Sequence, residues 1–338
     1  MKKKNFINNT IMKKNIAVVA GGDSSEYVVS VKSGANVLSA IDRNLFNPWL
    51  VRINNGEWAV LDGESKIAEV DKSDFSFKLD GGKIKFDYAY IIIHGTPGED
   101  GILQGYLEMI GIPYSSCDVQ SSALTFNKHF CNNYLRSFNI PMAKSVRLIL
   151  GQEYSAEQIV EELGLPLFVK PSAGGSSFGV TKVKKLEDLV AAVNHALDES
   201  PEALVEQFIE GKEFTNGVVR IGNRKLVLPV TEVLPKNEFF NYESKYVPGM
   251  AEEITPARLP EELTLKVQAL TSVIYDLCSC RGIVRVDYIL KGDTFYFLEI
   301  NTVPGMTTTS FIPQQVAAMG LNLTDLLTEI INDGLGQN

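Results

Sequence analysis

Short apolar runs, separated by clusters of Gly, Pro and polar residues, set the pattern of this chain. The run IAVVA after Asn15, a Gly-Gly loop, a helical period over 24–40 and the run AYIIIHG at 89–95 predict a βαβ-style open parallel sheet. A helix over 103–110 opens after the acidic pair Glu99-Asp100, where the helix dipole favours negative charge, and stops at Gly111-Ile112-Pro113. The small, polar stretch SSCDVQSSA reads as a domain boundary near 116. Beyond it the pattern predicts helices over 127–138, 156–163 and 186–197 with strands in LPLFVK, GVTKV and ALVEQFI, an α+β unit. From Gly211 strands dominate, in FTNGVVRI and KLVLPVTEV. A long irregular segment over 235–260 follows, then a helix, a strand pair and a final helix. So long a connection inside a compact domain points to function. The expected architecture is α/β and α+β, with domains over 13–116, 117–210 and 211–338.

Alternation sharpens the picture in GIVRVDYILKGDTFYFLEIN, where Lys291-Gly292-Asp293 joins two strands as a hairpin turn. Successive strand residues face opposite ways, so Phe295, Phe297, Glu299 and Asn301 are expected on one face and Tyr296, Leu298 and Ile300 on the other. Both faces begin apolar, and a bare carboxylate there is costly unless something pairs with it. Any register that pairs odd with odd positions brings Arg285 and Asp287 beside Glu299 and Asn301. Two readings fit these four residues. One is a hard divalent cation such as Mg2+, held by the carboxylates and the amide. The other is a cross-strand Arg285–Glu299 ion pair, with Asn301 starting a turn.

Composition narrows the class without choosing between them. The 338 residues are 45% hydrophobic and 22% charged, which is ordinary for a globular protein of two or three domains. A net charge of -9 and a pI of 5.1 exclude a basic nucleic-acid surface, so an anionic substrate must be met by local Lys and Arg clusters. No apolar run approaches the roughly 20 residues that span a bilayer, and no signal-peptide core follows the N-terminal lysines. A cytoplasmic protein with no membrane and no nucleic-acid partner is expected. Cys117, Cys131, Cys278 and Cys280 form no CxxC pair, and the last two are expected to face apart in a helix over 269–280, leaving four free thiols. His94, His129 and His195 share no metal-binding spacing, which argues against structural zinc. The polar start, 1–12, is expected to be disordered, with Met12 a candidate initiator.

Several loops carry candidate chemistry. KPSAGGSSFGV at 170–180 suits a phosphate-covering flap: its small residues let backbone N–H groups turn to an anion, Ser176 and Ser177 add hydroxyls and Lys170 adds charge. A merely flexible hairpin tip is the plain alternative. There is no GxxxxGK[ST] and no GxGxxG. Gly175-Ser176-Ser177-Phe178-Gly179 matches GxSxG, but VTKVKK after it reads as strand and His195 lies too near to end a triad, so hydrolase chemistry is set aside. LVEQFIEGKEFT can offer Glu206, backbone groups and Glu213 to a purine and its ribose, or form a solvated acidic linker. NEFFNYESKYVPGM holds Lys245 and Tyr246 in a loop able to close over a site, or to pack as a surface Ω-loop. GGDSSEYVVS opens a helix with Glu26 in its early turns, and HGTPGEDG puts His94 at the end of an apolar strand, where open sheets bind ligands. Capping by Asp23 or Ser24 and a satisfied, half-buried His94 are the alternatives there.

In this order the motifs GGDSSEYVVS, HGTPGEDG, FNK at 126–128, FVKPSAGGSSFGV, VEQFIEGKEFT, NYESKY, RVD and FLEINTVPGMTTTS resemble those of the ATP-grasp ligases, and more narrowly the D-alanine:D-alanine ligase family, across residues 15–312. The resemblance implies a three-domain ATP-grasp fold in which two α+β domains sandwich ATP. It implies an ADP-forming ligase that joins two D-alanine molecules through an acyl phosphate for peptidoglycan synthesis, working as a homodimer. Lys128 and Lys170 would contact the ATP phosphates with Ser176 and Ser177, Glu206 and the backbone of Gln207 and Ile209 the adenine, Glu213 the ribose, and Lys245 the γ-phosphate. Asp287, Glu299 and Asn301 would hold two Mg2+ or Mn2+ ions. Glu26 would fix the first D-alanine's ammonium with His94 nearby, and Ser310 with Lys245 the second's carboxylate. Glu26, Ser176 and Tyr246 would form a hydrogen-bonded triad, while Arg285 and the Gly305 N–H stabilise the tetrahedral oxyanion. The intact Lys245-Tyr246 pair implies dipeptide rather than depsipeptide synthesis. Two competitors remain: a related ligase with a different amine acceptor, and a non-catalytic nucleotide-binding or NAD-dependent protein, which the missing GxGxxG disfavours.

Overall fold

The computed structural model describes residues 13–175, 178–236 and 250–337. The start segment 1–12, Ser176, Ser177, Lys245 and Tyr246 therefore lie outside the described residues, and so does the expected Glu26–Ser176–Tyr246 triad.

The N-terminal part runs β1 (Lys14–Gly21), α1 (Tyr27–Ala40), β2 (Phe46–Asn54), β3 (Glu57–Asp62), β4 (Ser65–Asp71), β5 (Ser76–Leu79), β6 (Gly82–Lys85), β7 (Tyr88–Ile91) and α2 (Ile102–Met109). These strands make one sheet of order β6-β5-β4-β3-β2-β1-β7. Residues 16–20 of β1 are wholly buried, as a strand covered on both faces must be, and β1 pairs in parallel with β2 and β7. The expected parallel sheet is this three-stranded centre; β3 to β6 extend it as an antiparallel meander. Because β2 and β7 flank β1 on opposite sides, the chain leaves the carboxyl end of β1 at a point where the strand order reverses. Open sheets bind ligands at such a crevice.

The middle part comprises α3 (Val119–Phe126), α4 (Lys128–Arg136), β8 (Ser145–Ile149), α5 (Ala156–Leu163), β9 (Leu167–Pro171), β10 (Thr181–Val183), α6 (Leu189–Glu199) and β11 (Glu202–Gln207). The small, polar residues after 117 form α3, because Asp118 caps it by accepting from Ser121 N at 2.9 Å. Asn127 caps α4 in the same way, which sets Lys128 on the first helical position. The sheet order is β10-β9-β11-β8, antiparallel throughout, over a core that includes Leu167, Val169, Val193 and Val205.

The last part contains β12 (Lys212–Ile221), β13 (Arg224–Pro235), β14 (Ala251–Ile254), α7 (Glu261–Leu277), β15 (Gly282–Lys291), β16 (Thr294–Asn301), α8 (Phe311–Ala318) and α9 (Leu323–Gly334). Its sheet runs β14-β13-β12-β15-β16, so the stretch expected to be irregular ends in an edge strand. Ile274 and Tyr275 of α7 pack with Val284, Val286 and Tyr288 of β15. Ile312, Val316, Leu327 and Ile331 of α8 and α9 join the apolar cluster built on β1 and β7, so the first and third sheets share one core. One expectation is corrected: α7 ends at Leu277, and Cys278 and Cys280 lie beyond it on a turn where Ser279 takes φ 52°. Their thiols meet each other and extend to Cys131 and Cys117, all four buried and free.

Candidate active site

A cavity of about 870 Å³ opens where the three sheets converge, and its walls come from all of them. The first wall is the carboxyl end of β1 and β7. Ser24 donates to the His94 carbonyl at 2.7 Å and Asp23 N to the Thr96 carbonyl at 2.9 Å, which tie the two loops together. Ser24 Oγ accepts from Glu26 N at 3.2 Å in the turn that leads into α1, whereas Asp23 accepts from Asn55 N. Glu26 sits immediately before α1, 7% exposed, with its side chain on the cavity. The flap backbone presses against it: a Cβ added to Gly175 would lie 2.1 Å from Glu26 Oε2, so any larger residue there pushes the carboxylate aside.

His94 differs from its expectation. It is buried rather than half-buried, and both ring nitrogens are engaged: Nδ1 lies 2.8 Å from the Val303 carbonyl oxygen and Nε2 3.3 Å from Ser33 Oγ. A carbonyl only accepts, so Nδ1 carries the proton. Burial holds the imidazole below its ordinary pKa. His94 thus braces the segment after β16 rather than presenting a bare nitrogen to a substrate.

The second wall is basic. Lys128 Nζ donates to the Gly174 carbonyl at 2.7 Å and lies 3.6 Å from Glu299 Oε2. Lys170 Nζ lies 2.6 Å from Glu206 Oε2, both side chains nearly buried, and Asn132 donates to Glu206 Oε1 at 3.2 Å. The pairing of β9 with β11 explains this contact: Lys170 is opposite Leu204, so Glu206 is its diagonal neighbour on the same face. Gln207, Ile209 and Glu213 continue along the same rim.

The third wall is acidic. The register Arg285↔Asn301 and Asp287↔Glu299 is the odd-with-odd pairing expected from the sequence. The expected face assignment is corrected, however. The ladder slips between Asp287 and Tyr288, whose partner is Phe297, so Leu298 is an extra, bulged residue. Phe295 and Phe297 point into the core of α7 and β15, which Ile300 joins while also edging the cavity, and Leu298, Glu299 and Asn301 line the cavity. Parity breaks at Leu298, so the carboxylate does not share a face with the phenylalanines. Arg285 donates from Nε and Nη2 to the two oxygens of Asp287 at 2.9 and 2.8 Å, and Thr215 Oγ1 donates to Oδ1 at 2.5 Å. The arginine's partner here is thus the carboxylate two residues along its own strand. Asn301 Oδ1 accepts from Val303 N at 3.1 Å. Ser310 precedes α8 and turns its hydroxyl back to accept from Thr307 N at 3.0 Å. No acceptor among the described residues meets the Gly305 N–H, which lines the same cavity.

Among the described residues no three His, Cys, Asp or Glu side chains gather as a metal cluster. The set is two carboxylates and an amide, which suits a hard cation that also takes phosphate oxygens. The two lysines opposite suit the anion such a cation accompanies.

Two further acids stand on the cavity that the sequence did not point to, Glu99 buried and Glu253 half-buried. Asp100 accepts from Ile102 N, as a charge at a helix start does, but Glu99 turns inward, accepting from Gly95 N at 2.7 Å and Val303 N at 3.4 Å. Burial, with Glu26 nearby, pushes its carboxyl up to about 8. Glu253 on β14 accepts from Gln314 Nε2 at 2.6 Å, and burial raises its pKa too. The signal for Glu99 was present in HGTPGEDG, whose glycines at 95 and 101 take positive φ and fold the acid back under the loop.

Comparison with known proteins agrees with this geometry. Family profiles described as D-ala D-ala ligase N-terminus and D-ala D-ala ligase C-terminus match residues 15–117 and 135–332. A D-alanine–D-alanine ligase of Azobacteroides pseudotrichonymphae is 52% identical over 94% of this chain and 99% of its own, and one of Phocaeicola vulgatus is 51% identical over 95% and 99%. Among solved structures, D-alanyl-alanine synthetase A of Vibrio cholerae superposes with a TM-score of 0.86 at 26% identity, covering 96% of this chain and 99% of the other. The VanG D-Ala:D-Ser ligase of Enterococcus faecalis gives 0.82 at 32%, covering 96% and 100%. The D-alanine–D-alanine ligase of Bacillus anthracis complexed with ATP gives 0.76 at 29%, covering 96% and 98%. With both halves matched and near full-length relatives at half identity, this chain belongs to the D-alanine–D-alanine ligase family.

Proposed function

We propose that this chain joins two D-alanine molecules to D-alanyl-D-alanine at the expense of ATP, releasing ADP and phosphate, in peptidoglycan precursor synthesis. One observation carries the reading: a carboxylate on the first wall, two lysines on the second and an acidic face on the third meet across one cavity. Lys128 and Lys170, with Ser176, Ser177 and Lys245, are assigned to the phosphates. Glu206, the backbone of Gln207 and Ile209, and Glu213 are assigned to the nucleoside, with Leu298 offering an apolar surface to the base. Asp287, Glu299 and Asn301 fit two Mg2+ or Mn2+ ions, which when bound neutralise charge on the phosphoryl oxygens.

Glu26 binds the first D-alanine by its ammonium. That leaves the carboxylate facing the third wall, where one of its oxygens attacks the γ-phosphorus and ADP departs. The second D-alanine, held by its carboxylate at Ser310 and Lys245, presents its amine to the acyl phosphate. The C–N bond forms as the carbonyl electron pair moves onto oxygen; the pair returns as phosphate leaves, and the nitrogen sheds its extra proton. Arg285 and the Gly305 N–H are assigned to stabilise that oxygen while it is charged, and no protein nucleophile is needed. Glu26, Ser176 and Tyr246 are assigned to closing the lid, which keeps water from the acyl phosphate.

Among the described residues no helix is long and apolar enough to cross a membrane. The same reading takes the working unit as a cytoplasmic homodimer, which light scattering of the purified chain checks. Because the VanG neighbour bears a D-Ala:D-Ser name, the acceptor is the point to test. The purified chain is incubated with ATP, Mg2+ and D-alanine, L-alanine or D-alanine with D-serine, following phosphate release and product mass. Dipeptide with D-alanine alone supports the reading; phosphate release that ignores D-alanine refutes it.

A further inference from the structure

The turn that carries Gly305 is held by side chains of the N-terminal part on both sides. Val303 is anchored through its carbonyl by His94 Nδ1 at 2.8 Å, and its N–H is shared between Asn301 Oδ1 at 3.1 Å and Glu99 Oε1 at 3.4 Å. Met306 is anchored by α1: its N–H donates to Ser33 Oγ at 3.2 Å, and its carbonyl accepts from Asn36 Nδ2 at 2.6 Å. Ser33 and Asn36 are three residues apart, hence on one face of that helix, and Ser33 is fully buried. Between the two anchored residues stand only Pro304, whose ring fixes φ, and Gly305. A glycine between loose neighbours visits positive and negative φ alike, so its N–H direction is set by what holds the residues beside it.

We infer that Ser33 and Asn36 are positioning residues: acting through Met306, they hold the Gly305 N–H in the direction where the oxyanion of the second half-reaction forms. This rests on the ligase reading above. In the first half-reaction the carbonyl carbon of D-alanine stays trigonal while its oxygen attacks phosphorus. Only in the second, when the amine adds, does a full charge develop on the carbonyl oxygen. A donor fixed in advance stabilises that charge without reorganising; a donor that must first be ordered does so less well. The two α1 side chains therefore bear chiefly on amide formation.

The half-reactions can be read separately. Migration of 18O between the β,γ-bridge and the β-nonbridge positions of ATP, with D-alanine present, reports acyl phosphate formation; product mass reports the dipeptide. Asn36→Ala and Ser33→Ala are each expected to cut dipeptide formation about 10-fold, while isotope migration and the KM for ATP stay within about twofold of the unaltered enzyme. Asn36→Asp keeps the volume but turns an oxygen toward the Met306 carbonyl, so it is expected to lose at least as much as Asn36→Ala. Equal falls in migration and dipeptide, or an Asn36→Asp enzyme as active as the unaltered one, overturn the inference. An unaltered enzyme that shows neither D-alanine-dependent migration nor dipeptide overturns the ligase reading instead.

Discussion

Replacing Glu299 by Gln keeps the volume and shape of the side chain and removes one negative charge from the acidic wall. Its effect on folding can be bounded. Glu299 Oε2 lies 3.6 Å from Lys128 Nζ, with the Glu299 side chain 31% exposed. Lys128 is itself 12% exposed but keeps its bond to the Gly174 carbonyl, so losing an ion pair this long costs about 1 kcal/mol or less. For a chain of this size that is a change of about 2–4 °C or less in Tm. Its effect on turnover is of another order. Loss of a single group that stabilises charge in the transition state costs about 10²–10³ in kcat, or about 2.7–4 kcal/mol. A carboxylate assigned to anchor the magnesium-bound triphosphate would belong in that class, and on these magnitudes the loss of activity would exceed the loss of stability by at least about 2 kcal/mol. The assay pairs thermal melting, without ligands, with D-alanine-dependent phosphate release at several Mg2+ concentrations. A melting point near that of the unaltered enzyme with turnover down at least about 100-fold is expected. Unimpaired turnover at every Mg2+ concentration would refute the metal assignment, and a fall in activity matched by a fall in Tm would show that Glu299 serves the fold.

Three further outcomes follow from the same geometry. Gly175→Ala drives a methyl to 2.1 Å from Glu26 Oε2 and 2.7 Å from its Cδ, so the carboxylate must swing away; steady-state kinetics are expected to show a raised KM for D-alanine with the KM for ATP little changed. Lys170→Met leaves Glu206 a nearly buried carboxylate without its ion-pair partner, so denaturant unfolding is expected to show a loss of about 3–5 kcal/mol, whereas the double change Lys170→Met/Glu206→Gln recovers most of it. His94 is held below its ordinary value, chiefly by burial. The unfolded chain therefore binds the proton first as pH falls, so this contribution to stability is full above about pH 6.5 and is lost below it. Melting curves from pH 7.5 to 5 are expected to fall less steeply for His94→Asn, and an unchanged slope would exclude the imidazole as the group responsible.

What the sequence showed best was chemistry carried by local pattern. Gly21-Gly22, His94-Gly95 and Asn127-Lys128 stand where a strand ends or a helix begins, and backbone geometry alone then delivers Glu26, His94 and Lys128 to the cavity. Lys170 was legible as a strand-end cation, but its contact with Glu206 depends on which strand lies beside β9, and β11 enters after a whole helix. The cysteines show the same limit in reverse. A helix assumed to run to 280 separates Cys278 from Cys280, whereas the positive φ at Ser279 ends it early and brings the thiols together. The inward turn of Glu99 was legible in part: Gly95 lies only 4 residues away, within HGTPGEDG, but Val303 lies 204 residues away.

The bulge at Leu298 is the instructive failure, because the premise was sound and the strand broke it. Alternation requires every second residue to share a face, and by that rule Glu299 and Asn301 belong with Phe295 and Phe297. In a regular strand, moving the carboxylate to the cavity would carry Phe297 out of the core behind β15. One extra residue removes the conflict, since two residues of β16 then oppose one step of β15 and everything beyond changes sides. The core keeps Phe295, Phe297 and Ile300, and the cavity gains Leu298 beside Glu299, an apolar surface next to a charge. A purine and the polyphosphate it carries ask for that pairing, which ordinary alternation would put on opposite faces. The register that brings Asp287 opposite Glu299 was legible because it depends on counting; the bulge was not, because alternation alone gives no position at which a strand slips. Parity arguments are thus weakest where a strand must serve a core and a binding site at once, and a carboxylate at the end of an apolar strand is itself a reason to expect the slip.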